Sequence, residues 1–544
     1  RKSLVGSEMC IRDRSSIMKN KTALISVYRK EGVVDFARAI SDMGWNLIST
    51  GGTSRELKSA GLEVKDVSEV TGHPECFDGR VKTLHPAIHS GLLSRRANKD
   101  DQETLNELGY QTIDLVCVNL YPFEETAAIE PPVDDPTLIE MIDIGGPTMI
   151  RSAAKNHDDV IVVTSPNQYD EVLAALSKAK GEPTKIDPEL RKKLALEAFQ
   201  ATSAYDSGVS NELDSRFIGE IIPTQSHIST GNGVGLRYGE NPHQLAAFYP
   251  DSHSQNSLAA AEQLGGKPLS YNNYLDLDSA LRLVTTLMLP EFKGMDACVI
   301  IKHTNPCGAS IDATQDGAWA NALLSDPESA FGCVIAFNKK VTKTTAEAIG
   351  DHFFECLIAP DYDKEAIEIL SIKKNRRMLS LPTMAPRQPS IKMKQIEGGW
   401  LAQTQGPPMI DWNSIESVTK KEFTESDIML AKFGTSVISE VKSNAILLVS
   451  TTDTGFATVG VGPGQTSRVE AVRIAARRAG DRAKGCMMIS DAFFPFRDGI
   501  DTANEIGVES VVQPGGSMRD SDSILAANEH DMSMIFTNRR LFLH

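Results

Sequence analysis

What most constrains the fold is an alternation, over residues 21 to about 180, of short apolar runs with helical stretches. "TALISVY", "WNLIST", "IDLVCVNLYPF" and "DVIVVTS" read as strands, separated by stretches such as "GVVDFARAISDMG" and "TSRELKSAG". In the first of these stretches Val33, Phe36, Ala37 and Ile40 recur at i, i+3, i+4 and i+7, which predicts one buried helical face. Repeated βα units predict a parallel sheet covered on both sides, with ligands at the C-terminal ends of its strands.

A chain of 544 residues is too long for one core. The Gly-, Ser-, Thr- and Pro-containing stretch 221–236, "IIPTQSHISTGNGVGL", predicts a linker between a domain at 18–220 and a larger α/β region at 237–544. In that second region "ACVIIKH", "CVIAFN", "AILLVS", "CMMISDAFF" and "ESVVQPGG" are strand candidates, and a polar stretch near 380–390 predicts two lobes. Residues 1–17, "RKSLVGSEMCIRDRSSI", lack an initial Met and the apolar centre of a signal peptide. They resemble translated adapter sequence, so the natural start is expected at Met18 and the segment is set aside.

Charge narrows the partners. With 56 Lys plus Arg against 72 Asp plus Glu, the net charge is −16, which argues against nucleic acid or an anionic membrane over a broad surface. An anionic ligand must therefore be held by a local basic cluster. No apolar run approaches the roughly 18–20 residues of a membrane span, so a soluble protein is expected. The eight cysteines are scattered without a CxxC, several inside apolar runs; this predicts reduced, buried thiols, a cytoplasmic location and no metal site.

Three stretches of the first domain suit an anion. "STGGTS" (49–54) ends a strand and opens a helix, so Gly51 and Gly52 can offer N–H groups and Thr53 a hydroxyl. "DGRVKTLHP" (78–86) gathers Arg80, Lys82 and His85 around Thr83. "IDIGGPTMIRSAAKNH" (142–157) reads as a strand end, a Gly145-Gly146 turn and a helix with Pro at its first position, with Asp143 at the mouth and Lys155 two turns on. A tight turn, a solvated loop and a capped helix would account for each alone. Their combination in one parallel-sheet domain favours a phosphorylated ligand.

In the second region "RYGENPHQ" (237–244) concentrates hydrogen-bonding groups at a domain start. "VIIKHTNPCG" (299–308) reads as a buried strand delivering Lys302 and His303 into a loop, followed by an Asn-Pro turn. A lysine there can be desolvated, and a histidine suits proton transfer near neutrality. "KSNAI" (442–446) supplies an amide and "GVGPGQTSRVEA" (460–471) a Gly-rich entry to a helix at Arg468. In "SDAFFPFRDGID" (490–501) Phe493, Phe494 and Phe496 lie among a Pro and charges, as in a loop able to hold a flat heterocycle.

With "RVKTLHP", "NLYPF", "DIGGPTMIRSAAKNH", "RYGENPHQ", "KHTNPCG", "VKSNAI", "SDAFFPFRDGID" and "QPGGS" in order, the chain from Met18 to His544 resembles one family. This is the bifunctional purine-biosynthesis family that joins aminoimidazole-carboxamide-ribotide (AICAR) formyltransferase to inosine monophosphate (IMP) cyclohydrolase. The resemblance implies an α/β protein: an N-terminal methylglyoxal-synthase-like domain as cyclohydrolase, then a formyltransferase region of two cytidine-deaminase-like lobes without zinc. It also implies a homodimer with transferase sites at the interface and 10-formyltetrahydrofolate as co-substrate, with no metal.

The roles it implies are as follows. His303 takes the proton of the weakly nucleophilic 5-amino group, Lys302 stabilises the oxyanion or protonates the leaving folate nitrogen, and Asn444 holds the formyl oxygen. Arg237, Tyr238, Arg468 and Arg540 grip the ribotide with Phe493 near its base, and Gly332 and Glu355 also contact it. Asp498, Ser517 and Met518 lie near the folate. In the cyclohydrolase the formylated ribotide (FAICAR) closes its ring to IMP: Lys30, Thr50, Gly51, Gly52, Thr53, Arg80, Lys82, Thr83, Gly145 and Gly146 hold phosphate and ribose. Lys155 shuttles the proton, and Asp143, Asn119 and Tyr121 orient the reacting groups.

One departure stands out. The family usually reads "SVSDK" where this chain reads "SVYRK" (26–30). Tyr28 and Arg29 then either crowd the phosphate pocket or supply a new ligand, and a formyltransferase with an impaired nucleotide-binding N-terminal module is the alternative reading. A deaminase-like zinc enzyme would need H-x-E and P-C-x-x-C ligands; "NPCG" lacks the second cysteine.

Overall fold

The computed structural model describes residues 21–544 apart from 224, 229, 252, 253 and 255; the readings of 1–17 and of Met18 lie outside the described residues. Two compact units, Arg1–Ser229 and Thr230–His544, divide the chain, and the division falls within 221–236.

The first unit is built on five parallel strands: β1 (Thr22–Ile25), β2 (Asn46–Ser49), β3 (Val64–Asp66), β4 (Leu115–Cys117) and β5 (Ile161–Val163), in the order β3-β2-β1-β4-β5. β1 and β4 are buried along their whole length, as a sheet covered on both faces requires. The chain runs outward from β1 through β2 to β3 and then crosses back to β4 on the other side of β1, a reversal of strand order that opens a crevice beyond the C-terminal ends of β1 and β4. The helix Val33–Asp42 buries Val33, Phe36, Ala37 and Ile40, the face that the periodicity predicted. A 30-residue helix, Pro188–Phe217, starts on an Asp187 cap with Pro188 in its first turn.

The segment before Gly145 differs from its sequence reading. No strand precedes the Gly-Gly turn at 145–146: a short helix, Asp135–Ile139, leads into it, and the next helix, Gly145–Lys155, begins at Gly145 rather than at Pro147. Proline is tolerated at this third position because the first-turn N–H groups have no partner within the helix.

The second unit opens with the hairpin β6 (Val234–Leu236)–β7 (Ala246–Phe248). Its sheet comprises β8 (Glu262–Gly265), β9 (Asp296–Lys302), β10 (Asn305–Asp312), β11 (Cys333–Phe337), β12 (Phe354–Ala359) and β13 (Arg377–Ser380). A separate hairpin, β14 (Ser390–Ile396)–β15 (Gly399–Gln405), comes next. Then β16 (Ile446–Thr451), β17 (Phe456–Gly462), β18 (Met487–Ser490), β19 (Ser510–Gln513) and β20 (Ser533–Phe536) complete the sheet. The order is β20-β19-β18-β16-β17-β10-β9-β11-β12-β13-β8. The two halves repeat one plan: an antiparallel pair (β9–β10, β16–β17), a strand antiparallel to the first (β11, β18), then two parallel neighbours. They are joined where β10 meets β17, Ser310 opposite Ala457 and Ile311 opposite Phe456.

The "KHTNPCG" segment also differs from its sequence reading. Asn305-Pro306 is not the turn but the start of β10, paired to β9 through Asn305–Lys302 and Pro306–Ile301. The turn is His303-Thr304, with φ of 52° and 61°. A two-residue hairpin loop demands left-handed backbone at both positions, and here neither is glycine. Among the described residues no helix is long and apolar enough to cross a membrane.

Candidate active sites

In the first unit a cavity of about 780 Å³ opens beyond β1 and β4. The loop after β1 carries Lys30 into it; the N-terminus of the helix Gly51–Ser59 brings Thr50, Gly51, Gly52 and Thr53. The 80–83 loop contributes Arg80, Lys82 and Thr83, the segment after β4 Asn119 and Tyr121, and the start of the helix Gly145–Lys155 Asp143, Gly145 and Gly146.

The phosphate-sized end is tightly laced. Lys30 Nζ donates to Thr53 Oγ1 at 3.0 Å and to the Val27 carbonyl. The Thr53 hydroxyl donates back to that carbonyl at 2.9 Å and accepts the Val27 N–H at 3.1 Å. Burial pulls the Lys30 ammonium below the usual lysine range, against the opposing pull of Glu56. Gly51 has φ of 43°, and a Cβ there would sit 3.3 Å from Lys82 Nζ, so glycine lets this ammonium approach the helix N-terminus. Lys82 is paired with Glu75 at 2.9 Å and Arg80 with Glu140 at 3.1 Å. An incoming phosphate must exchange with these carboxylates.

At the other end Asp143 accepts the Gly146 N–H at 2.8 Å, and a Cβ on Gly146 would lie 2.4 Å from Asp143 Oδ2. Burial raises the Asp143 carboxyl above the usual range, offset in part by hydrogen bonds from Gly146 and Tyr121. The Tyr121 phenol is raised by burial and then by Asp143. Asn119 is spent on structure: its Oδ1 accepts the N–H groups of Tyr28 at 2.6 Å and Arg29 at 3.1 Å, and its Nδ2 donates to the Arg29 carbonyl at 3.0 Å.

The "YR" substitution resolves into two different positions. Tyr28 lines the cavity with its ring 5.4 Å from that of Tyr121, whereas Arg29 is exposed and pairs with Glu125. Lys155 is not brought to this cavity within this chain. It sits exposed in the last turn of the helix whose first turn faces the cavity, about 15 Å away along the axis at ~1.5 Å per residue.

In the second unit, Lys302 ends β9 with Nζ donating to the Phe331 carbonyl at 2.7 Å, beside Gly332. The Gly332 N–H is already given to the Phe353 carbonyl at 2.9 Å, and Glu355 is paired with Arg377 at 2.8 Å. His303 is exposed at the turn, which Asp276 anchors by accepting the Thr304 N–H at 2.7 Å. Burial raises the Asp276 carboxyl, against that hydrogen bond and the nearby His303 and Lys302 charges.

Asn305 ties this turn to the second half of the sheet: its Oδ1 accepts the Lys442 N–H at 3.1 Å, two residues before Asn444. Asn444 Oδ1 accepts from Arg468 at 2.8 Å and its Nδ2 donates to the Thr466 carbonyl at 3.2 Å. The C-terminal tail is stitched to the same place, Leu543 N to Ser443 Oγ at 3.0 Å and Leu541 N to the Asp491 carbonyl at 2.8 Å. Arg540 borders a cavity of about 290 Å³ that also holds Arg282, Arg387 and Lys392. Phe493 is exposed two residues beyond Asp491, while Phe494 is core. Asp498, at the start of the helix Asp498–Glu505, and Ser517 and Met518, before the helix Asp520–Glu529, lie beyond the ends of β18 and β19. Arg237 lies over its neighbour Tyr238, 5.2 Å from the ring centre, on the exposed loop after β6.

Sequence reasoning did not single out Ser26 or Asp491, although both lie within quoted stretches (26–30 and 490–501), and it missed Glu75, Glu140 and Asp276, which carry no local motif. Among the described residues no group of three His, Cys, Asp or Glu is placed to hold a metal ion.

Comparison with known proteins agrees with this architecture. The MGS-like domain family matches residues 32–148, and the AICARFT/IMPCHase bienzyme family matches residues 153–478. A "Bifunctional purine biosynthesis protein PurH" of Persephonella marina is 43% identical over 96% of this chain and all of its own length. Proteins of the same description from Bacillus mycoides and Bacillus cereus are 46% and 45% identical over the same shares. With matches spanning both units, the chain belongs to the AICARFT/IMPCHase bienzyme family, the bifunctional enzymes of purine biosynthesis that join a formyltransferase to an IMP cyclohydrolase.

Proposed function

We propose that the second unit transfers a formyl group from 10-formyltetrahydrofolate to the 5-amino group of AICAR, and that the first unit closes the FAICAR formed to IMP with loss of water. The observation that carries this reading is the convergence, on one cavity, of the first-unit residues named above other than Lys155.

For cyclisation, Lys30 and the Gly51–Gly52 N–H groups take the phosphate, with Arg80 and Lys82 released to it from Glu140 and Glu75. Asp143, protonated more readily than an ordinary carboxyl, exchanges a proton with the reacting amide while Tyr121 donates to the formyl oxygen. Lys82 lines the cavity and is an ammonium available for proton transfer, whereas Lys155 lies outside its lining.

For formyl transfer, His303 accepts the proton leaving the amine and Lys302 supplies one to the departing nitrogen. The Asn444 amide has a fixed orientation because Arg468 holds its oxygen. One of its N–H groups goes to Thr466, which leaves the other for the formyl oxygen. Arg540, with Arg237 and Tyr238, holds the ribotide phosphate. The exposed Phe493 packs near the base of the ribotide. Phe496 beneath Arg519 at 5.1 Å and the Asp498 carboxylate suit a flat hydrogen-bonding heterocycle, and with Ser517 and Met518 they would hold the folate, which supplies the formyl group.

We further propose a cytoplasmic homodimer with the transferase sites at its interface. The β14–β15 hairpin supports this, since a two-stranded hairpin is marginal alone and its Trp400 and Leu401 are exposed.

The test supplies the protein with AICAR and 10-formyltetrahydrofolate and follows tetrahydrofolate and IMP separately. Both products together are expected. Tetrahydrofolate with accumulating FAICAR would locate a defect in the first unit, and neither product would refute the assignment.

A further inference from the structure

We propose that Tyr205 is a positioning residue for cyclisation: its hydroxyl holds the 141–143 turn so that the Asp143 carboxylate stays aimed into the cavity. This rests on the reading of Asp143 as a catalytic group.

The Tyr205 hydroxyl accepts the Asp143 N–H at 2.7 Å and donates to the Met141 carbonyl at 3.0 Å. The turn lies between two helices, Asp135–Ile139 and Gly145–Lys155, and one phenol supplies partners for both of these main-chain groups. Asp143 is thus fixed twice, through its backbone by Tyr205 and through its carboxylate by the Gly146 N–H at 2.8 Å.

Tyr205 is itself held. It belongs to the helix Pro188–Phe217, which is fastened to the segment 123–143 at three levels. The Tyr205 ring meets Phe123 edge-on at 6.5 Å. One turn on, Gly208 admits Glu124 so closely that a Cβ there would lie 2.2 Å from Glu124 Oε1. Near the helix end Arg216 donates to the Val133 carbonyl at 2.7 Å and to Asp135 at 3.1 Å. This helix falls outside the 32–148 stretch that matches the MGS-like domain. The hydroxyl that sets this turn therefore comes from outside the matched stretch.

The experiment uses the full chain, given FAICAR directly. In Tyr205→Phe the ring and its packing remain while both hydrogen bonds go. Because misplacement of a reacting group by an ångström can cost a hundredfold, kcat is expected to fall about 10- to 100-fold with KM changed less than about twofold, and formyl transfer by the same protein is expected to hold. Phe199→Leu serves as comparison. It loosens the same helix by weakening the Arg151–Phe199 contact at 5.5 Å, touches no part of the turn, and is expected to leave cyclisation intact. An unchanged kcat in Tyr205→Phe would overturn the proposal, as would a fall that Phe199→Leu reproduces at equal loss of thermal stability. Asp143→Asn separates the two readings: if it remains active, the role of Asp143 is what fails, whereas an inactive Asp143→Asn beside a fully active Tyr205→Phe refutes only the role of Tyr205.

Discussion

Arg468 and Asp491 form an ion pair shut away from solvent, their side chains 9% and 0% exposed. Asp491 also accepts the Ser443 hydroxyl at 2.6 Å and the Ala445 N–H at 3.0 Å, so its charge is fully met. The same guanidinium holds Asn444 by its oxygen. One buried carboxylate thereby fixes, through Arg468, the orientation of the Asn444 amide.

Asp491→Asn should accordingly cost stability and chemistry together. Removing one partner of a buried pair leaves the other charge uncompensated, at a cost of about 3–5 kcal/mol. Denaturant unfolding should show that loss in the second unit, and tetrahydrofolate release should fall while FAICAR cyclisation persists. A variant as stable as the parent would contradict the buried-pair account.

His303→Ala is expected to abolish formyl transfer and to spare cyclisation of supplied FAICAR, since the histidine is exposed on the β9–β10 turn of the second unit. Equal loss of both activities would mean that the two reactions do not occupy separate sites.

Arg29→Ala should change cyclisation by less than about twofold and stability by about 1 kcal/mol or less, because Arg29 pairs with Glu125 at the surface. Tyr28→Ser empties space beside Tyr121 and should alter KM for FAICAR more than the Arg29 change does. The reverse order would show that Arg29 reaches the phosphate.

The pH profile of cyclisation should report Asp143. Burial raises its folded-state pKa above the ordinary 3.8, so ionisation is delayed to higher pH. If the carboxylate form is the base, kcat rises with pH through that raised value, and the acid limb lies above that of an unperturbed carboxyl. For stability the sign is opposite: the folded state binds the proton more tightly, so stability declines as pH climbs through the interval between the two values. Asp143→Asn should abolish cyclisation and remove the stability trend, as rate measurements and unfolding titrations would reveal.

Much of this architecture was legible because it is local. The 3.6 periodicity of Val33, Phe36, Ala37 and Ile40 gave the helix face, and "GGTS" marked where a strand hands over to a helix N-terminus. β3 was not legible, since Val64, Lys65 and Asp66 are too few and too polar to mark a strand; its place comes from pairing with β2. Pro306 drew the turn two residues too late, because proline usually ends a strand, yet here β10 pairs with β9 alone at that point. Tyr205 and Asp491 were invisible for another reason. Their partners are 62 and 23 to 48 residues away, and a polar side chain announces nothing about distant contacts.

The join between β10 and β17 has a consequence for the chain as an assembly of parts. Each half of the great sheet, cut free there, would present a bare row of N–H and C=O groups, an invitation to other chains. The halves silence each other's edges. Neither could be shed, or expressed alone, without acquiring a surface that polymerises. Main-chain hydrogen bonds bind the halves at the place where a hinge between them would have to be.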